Sequence, residues 1–205
     1  MKKLYSIKKP VVVESPEDEL YSYKTYIGKH NGVNVEKGDS AWIVDNSGVR
    51  TVRGPKIINT SHMCVIIRGY VSDSKYSGYE SGSNLPYVNG CTSNQLIPPT
   101  RVGDPTAQLL FLPKFTKEQA HHIHSTARIV YVLKGKGKSI QGMKGNIKKI
   151  NLKPGKILIV DKNLPHHFET KDNELTVIPI HIFSSTYLEF NHPMFNGTFA
   201  VDKQK

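Results

Sequence analysis

From Gln108 to Phe183 the chain alternates short apolar runs with turns built on glycine, proline or asparagine, and this rhythm most constrains the fold. The runs are Gln108 to Leu112, Ile129 to Leu133, Gly137 to Gln141, Ile147 to Leu152, Lys156 to Val160 and Leu175 to Phe183. Between them lie Gly142 to Asn146, Pro154-Gly155 and Asn163 to Pro165. Such runs are too short for stable helices, and none shows a helical period. Short strands at close, even spacing point to an antiparallel sandwich or barrel, so the predicted class is all-β. Pro179 lacks a backbone N–H, which predicts an edge or a bulge for the last strand.

Upstream, Ala41 to Val44, Val49 to Val52 and Met63 to Gly69 read as further strands, with a turn at Asn46-Ser47-Gly48. Glu17-Asp18-Glu19 marks a helix start, and Tyr21, Tyr23 and Tyr26 are expected to pack the N-terminal arm onto the body or a partner subunit. Residues 73–106, rich in Ser, Gly, Asn, Tyr and Pro, read as one long loop, either a mobile excursion or a lid over a pocket. The expected organisation is an N-terminal extension over 1–106, a core over 107–184 and a tail over 185–205 carrying Tyr187, Phe190, Phe195 and Phe199.

Charge narrows the function classes. The 205 residues hold 28 Lys+Arg against 17 Asp+Glu, a formal net charge of +11. The lysines are scattered over turns and strand edges (Lys134, Lys136, Lys138, Lys144, Lys148, Lys149, Lys153, Lys156), a solvated surface that blunts edge strands. No nucleic-acid-binding motif accompanies them, so no nucleic-acid partner is expected. Cys64 and Cys91 give no disulfide framework, and Cys64 reads as a small buried residue. The three-valine run near the N-terminus is too short for a signal peptide or a membrane span. A cytoplasmic location without membrane attachment is the expectation.

The chemistry concentrates in Ala120 to Gly135, AHHIHSTARIVYVLKG. Alternate strand residues share a face, so His122 and His124 point the same way, and an unbroken strand adds Thr126, Arg128 and Val130. Two neutral imidazoles on one face suit a divalent metal. The segment Asn163 to His167 (NLPHH) can supply a third. Alternation turns His121 and His167 outward. His181 reads as a hydrogen-bonded core histidine, and His30, His62 and His192 as surface or packing residues. Thr116 to Gln119 reads as one turn, Tyr131 as packing, Asp161 as a turn cap, and Gln141 is placed within possible reach of a cavity. No carboxylate pair, Ser-His-Asp arrangement or phosphate loop is visible.

These residues resemble the cupin superfamily. The family's first motif is Gly, five residues, His-x-His, three or four residues, Glu, six residues, Gly; here His122-Ile123-His124, Arg128 and Gly135 keep that spacing, with Thr116 at the leading glycine and Arg128 at the glutamate. The second is Gly, five residues, Pro-x-Gly, two residues, His, three residues, Asn; Gly155 and His166 match, with Asp161, Asn163 and Thr170 at the other positions. The resemblance implies a cupin-type double-stranded β-helix, or jelly-roll barrel, with extra N-terminal strands. It implies His122, His124 and His166 as metal ligands, Fe(II) favoured and Zn, Ni or Mn possible. Arginine at 128 stays cationic and offers only donors, so it cannot be the fourth ligand. Three neutral imidazoles beside a guanidinium call for an anion, and Arg128 either binds it bidentately or turns aside to Glu169 or Glu174. Thiol dioxygenases, three-histidine cupins in which an arginine holds the substrate carboxylate, are similar in chemistry. The reading is a metal-dependent enzyme acting on a small carboxylate-bearing anion, with dioxygenase-like chemistry ahead of lyase or isomerase chemistry and Arg128 in the catalytic role. The alternative is a non-catalytic ligand-binding or sensing cupin. Cupins often pair through added N-terminal strands, which implies a homodimer.

Overall fold

A computed structural model describes residues 4–16, 22–80, 85–101, 103–118 and 120–182. Eighteen strands follow one another among the described residues. They are β1 (Leu4–Ser6), β2 (Val11–Glu14), β3 (Tyr23–Ile27), β4 (His30–Val35), β5 (Ser40–Val44), β6 (Gly48–Arg53), β7 (Lys56–Thr60), β8 (Met63–Ile67) and β9 (Tyr76–Gly78). Then come β10 (Leu85–Pro86), β11 (Thr92–Ile97), β12 (Thr106–Leu112), β13 (Ala127–Gly135), β14 (Gly137–Gln141), β15 (Lys148–Leu152), β16 (Lys156–Val160), β17 (His166–Glu169) and β18 (Leu175–Ile182). The acidic cluster at 17–19, Tyr21, His192 and the tail lie outside the described residues.

The strands form four layers. A seven-stranded sheet in the order β1-β16-β13-β18-β12-β11-β10 lies between a three-stranded sheet, β15-β14-β17, and a six-stranded sheet, β2-β3-β8-β5-β6-β9. The pair β4-β7 covers the outer face of the six-stranded sheet. Every pairing is antiparallel. The long N-terminal segment is thus woven into the body, since β1, β10 and β11 belong to the same sheet as β12, β13, β16 and β18.

The seven-stranded sheet is buried on both faces, which is why β13 and β18 read as nearly unbroken apolar runs. Alternation divides their side chains. Ala107, Leu109, Ala127, Ile129, Tyr131, Ile157, Ile159, Ile178, Ile180 and Ile182 pack against Trp42, Val44, Met63, Val65 and Ile67 of the six-stranded sheet. Leu110, Leu112, Val130, Val132, Leu158, Val160, Leu175 and Val177 face the other way, onto Leu152 and Phe168 of the three-stranded sheet. The same parity carries Gln108, Arg128, Pro179 and His181 to this second face.

Two expectations need correction. Pro179 sits in β18, flanked by β13 and β12, so it is neither at an edge nor at a bulge. Its missing N–H is accommodated differently: the β12–β18 ladder pairs Ala107 with Ile180 and Leu110 with Val177 and is interrupted between them. Residues 73–106 are not one long loop, because they contain β9, β10, β11 and a 3-10 turn at Val88–Gly90. The polar sequence TSNQLI conceals β11, which borrows its apolar neighbours from β12.

Gly135 ends β13 with φ +76°, a conformation costly for any residue with a Cβ, and a Cβ there collides with the Glu174 carbonyl oxygen. Gly145 has φ +93° but open space around it. Gly145→Ala should therefore cost about 1 kcal/mol from backbone strain alone. Gly135→Ala should cost several times more, because backbone must also move; equal shifts in urea midpoint for the two variants would contradict this.

Candidate metal centre

The site is built where the segment before β13 meets β17. Lys117 bridges Glu169 and His122 bridges His166, so five steps along one chain lie against three along the other. Glu118 N–H donates to the Phe168 carbonyl at 3.0 Å, His122 N–H to the His166 carbonyl at 3.2 Å, and His166 N–H to the His122 carbonyl at 2.8 Å. The segment thus extends the three-stranded sheet past β17 with a bulge between the two bridges, a device that re-aims side chains. The single turn expected over Thr116 to Gln119 is replaced by this pairing at Lys117 and Glu118. Nor is the strand through the histidines unbroken, since β13 begins only at Ala127. Asn163 N–H donates to the His124 carbonyl at 2.6 Å and ties the β16–β17 turn to the same segment.

Three rings converge as a result. The ring centroids of His122, His124 and His166 lie 4.5, 4.7 and 5.4 Å apart, and one nitrogen from each falls within 4.8 Å of the others. His122 Nδ1 donates to the Ala120 carbonyl at 2.8 Å and His166 Nδ1 to the Leu164 carbonyl at 2.7 Å. Since a carbonyl only accepts, both rings are fixed as Nδ1–H tautomers whose Nε2 lone pairs are left for a metal. Burial, aided by the Arg128 guanidinium and opposed by the hydrogen bond to Leu164, pushes the His166 pKa down to about 3, so this ring is neutral across the ordinary pH range. Nitrogens on one zinc ion lie roughly 3.4 Å apart, and ring rotation covers the remaining distance. The donor set therefore fits a divalent ion.

A small cavity of about 30 Å³, partly open, adjoins the rings. It is lined by His124 and His166 and, from the seven-stranded sheet, by Gln108, Arg128, Pro179 and His181; Glu118 and Phe168 close it from the three-stranded side. Arg128 is buried, and its Nη1 donates to the Thr126 carbonyl at 3.0 Å and to the Thr126 hydroxyl. The guanidinium thus stays at the cavity, and Glu169 pairs instead with His167.

Other residues fall where the sequence did not place them. His167 is buried and His121 half-buried, not outward-facing. They form a second pair: His121 Nε2 donates to the Gly142 carbonyl at 2.7 Å, the two Nδ1 atoms share a proton at 2.7 Å, and His167 Nε2 meets Glu169 Oε1 at 2.8 Å. Burial lowers the His167 pKa, and the hydrogen bond to Glu169 opposes that shift. His181 lines the cavity instead of serving only the core. Gln141 donates to the Ser139 hydroxyl at 3.2 Å and is not among the lining residues. Tyr131 packs as expected, with His62 edge-on at 5.7 Å. Both cysteines are buried and free, with their thiols pushed up to about 12 by burial.

Glu118 is the residue that sequence reasoning missed as functional. Its carboxylate is buried in the cavity wall and accepts the Phe168 N–H at 3.3 Å on Oε2. Burial pushes its pKa up to about 7, against the opposing pull of Arg128 and this hydrogen bond. The cavity lacking a carboxylate at position 128 thus receives one from another segment, and that group changes charge near neutral pH.

The family model described as Cupin domain matches residues 109–183. No curated protein sequence matches the chain. The structure is similar to a Cupin 2 conserved barrel domain protein from Leptotrichia buccalis (13% identity, TM-score 0.51, covering 88% of this chain and 96% of that one). It is also similar to an oxalate decarboxylase (11%, 0.53, 89% and 78%) and to a variant of the Bacillus subtilis oxalate decarboxylase (9%, 0.52, 90% and 78%). At these identities the likeness is one of fold. No described helix is long and apolar enough to cross a membrane.

The sign of the Glu118 shift gives a stability prediction for the metal-free protein. Below pH 4.5 Glu118 is protonated in both folded and unfolded chains and costs nothing. Between 4.5 and about 7 the unfolded chain ionises first, so wild-type stability falls as pH rises, by about 3 kcal/mol at most. Glutamine does not titrate. The stability of Glu118→Gln relative to wild type should therefore climb through this window and level off above it; a pH-independent difference in denaturation free energy would contradict the buried carboxylate.

Proposed function

The chain carries a cupin domain over residues 109–183, and on that premise we propose that it is a metal-dependent enzyme acting on a small carboxylate-bearing anion. The observation that carries this reading is the convergence of His122, His124 and His166 beside a cavity that also holds the Arg128 guanidinium. A divalent ion on three neutral imidazoles, Fe(II) first and Zn, Ni or Mn otherwise, supplies Lewis-acid or oxygen-activating chemistry when bound.

This chain's own residues do the rest. Arg128 brings a permanent positive charge that attracts the substrate carboxylate and fixes its orientation. The apolar walls from Leu110, Val130, Val160 and Phe168 exclude bulk water, which strengthens that attraction. Glu118, with a pKa near the working pH, holds a proton on its carboxyl in the free cavity and is suited to give it up or take it back as substrate charge changes. The carbonyl of Leu164 holds the His166 ring in its binding tautomer throughout. Dioxygenase-like chemistry is our first choice, with lyase or isomerase chemistry second. Buried, free cysteines suit a reducing, cytoplasmic setting.

The test is metal analysis followed by oxygen consumption. Protein reconstituted with Fe(II) should hold about one ion per chain, and His124→Ala should lose most of it. At least one compound from a panel of small carboxylic acids should give turnover. Unchanged metal content in His124→Ala removes the site. Metal binding with thermal stabilisation by acids, but without turnover of any kind, assigns the protein to ligand sensing instead.

A further inference from the structure

Gln108 stands in the middle of β12 with no exposed surface, and neither Nε2 nor Oε1 has a hydrogen-bond partner in the protein. Leaving a buried amide unpaired costs about 1–3 kcal/mol per group, so natural folds rarely keep one without a use. Gln108 lines the same cavity as Arg128, Glu118, His124 and His166. It also stands where the β12–β18 ladder is interrupted beside Pro179, a residue without an N–H to offer. Gln108 thus joins both properties, whereas Asn94 carries an unpaired Oδ1 but does not line the cavity.

We propose that Gln108 determines substrate specificity by recognising a hydroxyl group, so that the anion bound in this cavity is a small hydroxycarboxylate. The inference rests on the reading of the site given above and deepens it. The carboxamide presents a donor and an acceptor side by side, and one hydroxyl answers both, accepting from Nε2–H and donating to Oε1. An ammonium group satisfies Oε1 but leaves Nε2–H unpaired, and it meets the Arg128 guanidinium and, when loaded, the metal, against which Glu118 offers a single carboxyl. A methyl group satisfies neither. Arg128 takes the carboxylate, and the cavity of about 30 Å³ restricts the ligand to a few heavy atoms. A site that hydrogen-bonds a substrate hydroxyl rejects the analogue lacking it strongly, because the buried amide is then left unpaired again.

The test compares glycolate, acetate and glycine, three ligands of nearly equal size. Titration calorimetry is run on metal-free wild-type protein, which removes any preference due to chelation, and on Zn-loaded protein. Glycolate should bind at least tenfold tighter than acetate or glycine in both forms. Gln108→Met, close in shape and unable to pair, should bring glycolate down to the acetate level while leaving acetate affinity and zinc stoichiometry unchanged. Its ligand-free melting temperature should equal or exceed that of wild type, since an unpaired amide has been removed. Equal affinities for glycolate and acetate in metal-free wild type would overturn the assignment, as would an undiminished preference in Gln108→Met. If that variant does not fold, the wild-type panel alone decides. Anion binding without hydroxyl preference sinks only the role of Gln108; failure of all three anions to bind either form sinks the substrate reading as well.

Discussion

Two backbone hydrogen bonds exchanged between His122 and His166, residues 44 positions apart, hold the candidate centre together. Each residue donates its own N–H to the other's carbonyl, so the two side chains are presented side by side before any ion is involved. His124 follows on the same segment, fastened through its carbonyl to Asn163. A metal site assembled from backbone pairing is rigid, because displacing one imidazole requires breaking the ladder that carries it. Carbonyls of Ala120 and Leu164 then select the tautomer. Two of the three rings therefore have their orientation and protonation fixed by main-chain atoms.

The central sheet supplies the other half of the site by parity. A strand buried on both faces has one set of side chains committed to the six-stranded sheet, here mostly isoleucines and alanines with Leu109 and Tyr131. The alternate set faces the barrel interior, where runs of valine and leucine are interrupted around the cavity by Gln108, Arg128, Pro179 and His181. Polar groups in an otherwise apolar layer are costly to bury. Their gathering around one cavity is the physical mark of this region. Glu118, approaching from the opposite sheet, adds a carboxyl that is neutral while protonated and, once ionised, offsets part of the charge that the arginine at position 128 introduces.

Much of this was legible in the sequence. Glycine and proline turns between five-residue apolar runs gave the antiparallel class, and the spacing of His122, His124, Arg128, Gly135 and His166 gave the cupin barrel and its converging rings. What escaped has a common cause: it depends on pairing between segments far apart in the chain. The polar strand β11 is apolar only through its neighbour. Pro179 is tolerated in mid-sheet because the ladder opens beside it. Glu118 reads as a surface residue of a short turn until its segment is seen running along β17. Gln108 sits in the apolar run QLLFL and carries no motif; its one signal is a polar residue at an inward position of an otherwise apolar strand. His121 and His167 do turn away from the three-histidine group, as alternation requires, but they cover each other, a burial that depends on pairing between segments far apart in the chain.

The account stands on one cation held by three imidazoles, and anomalous scattering from crystals of the metal-loaded protein reads that directly. Data collected on either side of the absorption edge of the bound metal should show a single strong peak in each chain, at bonding distance of about 2.1 Å from a nitrogen of His122, of His124 and of His166. A peak coordinated elsewhere, or no peak between the three rings in protein shown to contain stoichiometric metal, would contradict it.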